Sequence, residues 1–355
     1  MTENEKTTGG LDSCGNVWLR YVESLVEAYN QGDQLVCALK EVSPSRGDWT
    51  EPLGCALKEV SPSRGDWTEP LGCALKDLPS DHKSANDKNT EPERTRKIVI
   101  CSPHPDDEAL ICALPLRLMR EDRVAVVNVA LTLGSDPARK EERRQEMARA
   151  CGVLGFEYRL VEEPLAFDRI TPTASGHAPA GRGKKIEVLA DLFAKLAPDL
   201  VFCPHEDDLH PTHIWANHLV IKALKKYSED GGQDVILLET EYWHPMKDPD
   251  LLVAASPKEV ALMIEALCCH RGEIDRNPYH LRLAARLMDN VRRGGELVGG
   301  FGRRVPDFIF GELYRISLFS SGVMCSGKEN LVIGPDQKIS CAALEKSVKV
   351  CRVTS

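Results

Sequence analysis

The chain has 355 residues, 42% of them hydrophobic, enough for one large core or two smaller ones. Its formal charge of −9 disfavours a nucleic-acid partner, and no apolar run approaches the length of a transmembrane span. Met1–Gly10 lacks the apolar core of a signal peptide, and the 13 cysteines form no CxxC pair, which points to a reducing cytoplasm with thiols such as Cys101, Cys112 and Cys203 buried in apolar runs.

In chain order, Val17–Tyr29 has apolar residues near helical spacing and predicts one amphipathic helix. Cys37–Gly54 reads CALKEVSPSRGDWTEPLG and recurs residue for residue at Cys55–Gly72; a third copy begins at Cys73 and diverges. Two full copies of an 18-residue unit are too few for a solenoid, and the prolines, glycine and charges suit a flexible tandem duplication. The Arg-Gly-Asp triplets at 46–48 and 64–66 then carry no role of their own. Residues 77–96 continue polar, so residues 1–96 are expected to form a flexible N-terminal extension.

From residue 97 strands and helices alternate. Strands are expected at 98–101, 124–131, 158–161, 199–203, 235–239 and 308–316. Helices are expected at 108–120, 137–154, 184–196, 212–227, 257–269 and 278–293. Such alternation predicts an α/β fold over 97–318, a Rossmann-like, mostly parallel sheet with helices on both faces. Residues 319–355 are a tail without assigned packing. A glycine-rich GxGxxG turn does not follow the first strand, which argues against a dinucleotide site.

The chemistry concentrates at two strand ends. Ile98–Cys101 runs into Pro103-His104-Pro105-Asp106-Asp107-Glu108, a proline-bounded His with three carboxylates. Alone, this could be a capped loop, with Asp106 or Asp107 at the start of the next helix. Asp199–Cys203 runs into Pro204-His205-Glu206-Asp207-Asp208-Leu209-His210-Pro211-Thr212-His213. Parallel strands deliver both sets to the carboxyl edge of the sheet, where ligands bind in open α/β folds. His210 and His213, three apart at a helix start, can face one cavity, whereas His218 points off that face. His with carboxylate is a ligand set suited to zinc. Lesser candidates are His177 and Arg182 in the loop 166–184, His244, His270 and Glu312.

The strand with PHPDDE, the downstream HPTH, and Arg143-x-x-Glu146-x-x-x-Ala150-x-x-x-Leu154-Gly155 between them resemble the PIG-L/LmbE-like zinc deacetylases over roughly residues 97–316. The resemblance implies His104, Asp107 and His213 as metal ligands, for Zn2+ or alternatively Fe2+. It implies Asp106 as general base, His210 as the group that stabilises or protonates the reacting amide, and Arg143 as a substrate-binding residue. The implied reaction is hydrolysis of an N-acetyl group on an N-acetylglucosamine-type small molecule by metal-activated water. Two alternatives stand beside it: an amidase of the same fold for another acyl amine or thiol conjugate, and a non-catalytic carbohydrate-binding relative. Thr212 departs from the family, in which many members carry Asp there to orient the preceding His; Asp208 is the nearby carboxylate that offers that role. Oligomeric state is not legible.

Overall fold

The computed structural model describes residues 11–42, 94–172, 181–327 and 329–348. The chain divides into two units: Met1–Glu27 with Thr95–Ser355, and Ala28–Arg94. Of the second unit, residues 28–42 are the C-terminal part of helix α1 (Leu11–Val42). The 18-residue repeat past residue 42 and most of the polar stretch after it lie outside the described residues.

In the first unit, α1 is longer than the Val17–Tyr29 segment expected from its spacing. Its residue Val22 is fully buried, and Trp18, Tyr21, Leu25 and Val26 pack beside it on the core. Among the described residues the sheet has nine strands, mostly parallel: β1 (Lys97–Ser102), β2 (Ala125–Ala130), β3 (Glu157–Leu160), β4 (Leu200–Pro204), β5 (Val235–Thr240), β6 (Leu251–Ala255), β7 (Phe310–Ser320), β8 (Val323–Ser326) and β9 (Leu331–Ile333). Their order is β3-β2-β1-β4-β5-β7-β6-β9, with β8 pairing β7. The expected α/β sandwich is therefore the observed one. The first five strands pair in parallel, and β7 enters antiparallel beside β5.

Alternation along each strand supplies two cores. Ile98 and Ile100 of β1 face one side; Val99 and Cys101 face the other. Over the first side lie α3 (Ala113–Asp122), α4 (Lys140–Leu154), α7 (Pro257–Leu267) and α9 (Tyr279–Leu297), which bury Leu114, Met147, Ile264 and Leu287 there. Over the second lie α5 (Arg182–Leu196) and α6 (Pro211–Glu229), with Phe193 and Val220. Cys101, Cys112 and Cys203 are buried free thiols.

Three elements differ from the sequence reading. The helix expected over 108–120 is two, α2 (Asp107–Leu110) and α3, broken at Ile111–Cys112. The freed N–H groups of Ala113 and Leu114 donate to Glu312 Oε2 (3.0 Å) and the Tyr314 hydroxyl (3.3 Å) of β7, so distant side chains satisfy the new helix start. β6 had no expectation. Finally, the segment after 318 joins the sheet through β8 and β9, and Ile339, Cys341, Leu344 and Val348 enter the first core around α10 (Cys341–Ser347). The buried guanidinium of Arg117 ties this segment down by donating to the Gln337 carbonyl (2.6 Å).

Candidate active site

Strands β1 and β4 are the neighbours between which the strand order reverses, and ligands of open α/β sheets bind at the carboxyl ends of such a pair. β1 leads directly into His104–Glu108. The backbone N–H of His104 donates to Asp107 Oδ2 at 2.8 Å, which folds the short turn so that the His104 ring lies above the same carboxylate. Asp106 occupies the N-cap position of α2, but its side chain makes no capping hydrogen bond. The alternative of a merely capped loop thus does not describe it. Its backbone sits at φ 111°, a left-handed conformation rare outside glycine, asparagine and aspartate. Glu108 holds that conformation by accepting the Asp106 N–H through Oε2 at 3.0 Å.

β4 leads to the second set. His210 caps α6: its Nδ1 accepts the Thr212 N–H at 3.3 Å. A neutral ring accepting at Nδ1 carries its proton on Nε2. His213 follows in the first turn and is buried. Asp208 receives the backbone N–H of His210 (2.8 Å) and of Trp243 (3.1 Å), and its Oδ2 lies 3.7 Å from His213 Nδ1. Asp208 therefore stands behind the His213 ring; its bond to His210 is through the backbone.

The rings converge. His104, His210 and His213 each bring one nitrogen within 4.8 Å of the others, a group able to hold a metal. Asp107 Oδ2 is 3.4 Å from His104 Nδ1 and 3.5 Å from His213 Nε2. Ligands around a tetrahedral zinc at its usual bond lengths stand roughly 3.3 Å apart, so this trio has the spacing of a coordination shell. His213 Nε2 is buried without a hydrogen bond, as expected of an imidazole nitrogen whose partner is an ion, while Nδ1 faces Asp208. The residues present fit a divalent metal.

The electrostatics separate the adjacent aspartates. Burial and then the Asp107 charge push Asp106 well above the usual carboxylate range, against the pull of Arg143. Burial also opposes ionisation of Asp107, but the His213 and His104 rings outweigh it and hold its carboxyl at about 2. Burial, with His104 and His213 next to it, lowers His210 to about 4.

Arg143 of α4 donates to the Pro105 carbonyl at 2.9 Å and stands 3.8 Å from Asp106 Oδ1 and 3.6 Å from Glu273. Gly134 at φ 87° makes room for it: a Cβ there would lie 2.3 Å from Arg143 Nη1. Behind Asp106, Glu108 Oε1 meets His270 Nε2 at 2.9 Å, with both side chains fully buried. Replacing His270 by Leu strands the Glu108 carboxylate. We expect a loss of about 3 kcal/mol in urea unfolding, the scale for breaking a buried pair at one partner.

These groups line one side of a cavity of about 1070 Å³. His104, Asp106, Asp107, Arg143, His210 and His213 all face it. His244 and Arg182 do not: the His244 ring bonds the Pro245 carbonyl and Arg182 stacks over Trp215. His218 packs edge-on against Trp215, and Glu312 anchors α3. His177 lies outside the described residues. The opposite walls hold residues that the sequence reading missed: Tyr242, Trp243 and Glu273, with Tyr279 and arginines of α8 (Arg271–Arg276) and α9. Trp243 stacks on His210 and meets Tyr279 edge-on at 5.7 Å. Tyr242 and Trp243 lie in the loop after β5 and the others on α8 and α9, and no local pattern in the sequence marks them as parts of one wall.

Residues 99–224 match the family described as PIG-L, GlcNAc-PI de-N-acetylase. Solved structures with a similar fold include the conserved protein TT1542 from Thermus thermophilus, at 22% identity and a TM-score of 0.47, covering 62% of this chain and 94% of that one. An N,N'-diacetylchitobiose deacetylase from Pyrococcus horikoshii is similar at 19% identity and a TM-score of 0.47, covering 62% and 83%. The 4-carboxy-2-hydroxymuconate hydratase GalB from Pseudomonas putida is similar at 19% and 0.47, covering 62% and 96%. A comparison with curated protein sequences finds no match.

Proposed function

We propose, on the match of residues 99–224 to the PIG-L family, that the chain is a metal-dependent hydrolase that removes the acetyl group from an N-acetylglucosamine-type sugar or conjugate. The observation that carries this reading is the convergence of His104 and His213 on the Asp107 carboxylate, 3.4 and 3.5 Å away, beside a buried Asp106 whose side chain caps nothing.

His104, Asp107 and His213 would hold the metal, zinc or alternatively ferrous iron. Such an ion, when bound, supplies water of lowered pKa and polarises a carbonyl. Asp106 takes the proton of the attacking water and returns it to the leaving amine. A buried carboxylate of raised proton affinity suits that exchange better than an exposed one. His210 is neutral at pH 7, with Nδ1 engaged by the Thr212 N–H, so it acts as a hydrogen-bond donor through Nε2 toward the developing oxyanion. Thr212 contributes its backbone to that arrangement, which needs no carboxylate at this position. Trp243 and Tyr279, nearly perpendicular to each other, give the cavity wall aromatic surface against which a sugar ring can pack.

The direct test is acetate release by the metal-loaded full chain from a panel of N-acetylated amino sugars and their conjugates, with longer acyl amides beside them. Acetate from at least one sugar is expected. Release of a longer acyl group alone would favour the broader amidase reading, and no release from any substrate would overturn catalysis. A second test reads the general base. Arg143 lowers the proton affinity of Asp106, so Arg143→Gln raises it. The acid limb of kcat/KM should then move to higher pH, by about one unit for a cation this close. The metal charge acts equally on both proteins and leaves the sign unchanged.

A further inference from the structure

The first turn of α9 carries part of the cavity wall but is held from outside its own helix. Its N-cap, Pro278, offers no side-chain cap, and none of Tyr279–Arg282 is buried; the buried residues of α9 begin at Leu283. A helix start of this kind has N–H groups without intrahelical partners and opens before the rest of the helix. Yet Tyr279 and Arg282 line the cavity. Tyr279 meets Trp243 edge-on, and burial with the nearby Asp106 charge raises the proton affinity of its hydroxyl. The two residues between them in sequence contact α1 instead. The Trp18 ring meets the His280 ring edge-on at 5.6 Å, and the Tyr21 hydroxyl donates to the Leu281 carbonyl at 3.3 Å. Trp18 and Tyr21 brace each other edge-on at 6.1 Å and share a helix face with Val22 and Leu25, of which Val22 is fully buried in the core. So α1 is anchored by its own core contact and reaches α9 with two aromatic side chains. Both helices lie outside the segment 99–224 that matches the family.

We propose that Trp18 and Tyr21 are positioning residues of the cavity: through His280 and the Leu281 carbonyl they hold the first turn of α9, and so fix the Tyr279 ring in the wall against which the substrate packs. The substrate's identity rests on the deacetylase reading; the positioning is a property of the two helices. A ring placed beforehand loses little freedom when a ligand arrives, so a loosened turn weakens binding. The groups that break the amide bond stand on other elements, at the end of β1 and the start of α6, and are left in place. Trp18 and Tyr21 therefore act on KM and not on kcat. One edge-on aromatic pair and one hydrogen bond are contacts small enough to remove singly while Val22 keeps α1 on the core.

Two measurements on the metal-loaded full chain compare the wild type with Trp18→Ala, Trp18→Phe and Tyr21→Phe. The first is amide hydrogen exchange at residues 283–286, whose helical acceptors are the carbonyls of the first turn. It should quicken about fivefold in Trp18→Ala, the scale of one aromatic pair, and about twofold in Tyr21→Phe, the scale of one exposed hydrogen bond. Exchange in α6 should stay at the wild-type rate. The second is acetate release from the N-acetylated sugar that the wild type hydrolyses: KM should rise by the same factors with kcat unchanged. Trp18→Phe, which keeps an aromatic edge against His280, should restore both readouts. Unchanged exchange in Trp18→Ala and Tyr21→Phe, an acceleration spread evenly over the chain, or a loss in kcat in place of KM would overturn the positioning role. Failure of the deacetylase reading has a different signature: the wild type hydrolyses no N-acetylated sugar, and the exchange rates then decide the role of α1 by the same outcomes.

Discussion

Asp106→Asn lowers kcat by about a thousandfold, the middle of the range for removing a general acid–base group, while metal content stays at the wild-type level. Asparagine is the informative replacement because the backbone at 106 has a positive φ of 111°, and asparagine is, with aspartate, among the non-glycine residues best tolerated at positive φ. It keeps the Asp106 N–H bond to Glu108 and the shape of the side chain, and removes only the ability to take up a proton. Alanine would confuse lost chemistry with a relaxed backbone. The geometry separates this residue from its neighbour: Asp107 lies among the histidine nitrogens, whereas Asp106 faces Arg143. Steady-state kinetics with elemental analysis of the same preparations checks the prediction. Retention of full activity would remove Asp106 from the mechanism, and loss of metal along with activity would move it into the metal shell.

The site was legible in sequence wherever its position followed from strand ends. Ile98–Cys101 and Asp199–Cys203 are apolar runs stopped by proline, so the residues after them had to emerge at one sheet edge, and all six site residues singled out there and on α4 face one cavity. What sequence did not reveal depends on partners far along the chain. The break at Ile111–Cys112 is set by Glu312 and Tyr314, about 200 positions away, which no local helical periodicity can signal. The Glu108–His270 pair spans 162 positions. Leu251–Ala255 is a short continuous apolar run of the kind that periodicity cannot assign to strand or helix, and only its pairing with β7 and β9 decides it. The arginines of α9 carry no local sequence signal of a site, because the cavity they meet is built in part from loops after β2, β3 and β5.

The second large effect concerns which residues hold the metal, because two overlapping trios are available. One is His104, Asp107 and His213; the other replaces Asp107 by His210. Charge favours the first. A divalent ion gains most from an ionised carboxylate, and Asp107 is held at about 2, fully ionised at neutral pH. His210 has one nitrogen committed to the Thr212 N–H and its ring leans on Trp243, an arrangement that orients Nε2 toward a reacting group. Asp208 behind His213 completes the pattern of a ligand imidazole backed by a carboxylate. Asp107→Asn should therefore lower metal affinity by at least about a hundredfold, since the amide keeps the His104 N–H bond but offers the ion no charge. His213→Ala should do the same. His210→Ala should retain the metal through dialysis against a weak chelator and lose about a hundredfold in kcat, the scale for one oxyanion donor. The reverse pattern, with His210→Ala metal-free and Asp107→Asn metal-loaded, would assign the ion to the three imidazoles. Asp107 would then be left ionised beside Asp106, its negative charge adding to burial in raising the proton affinity of the base.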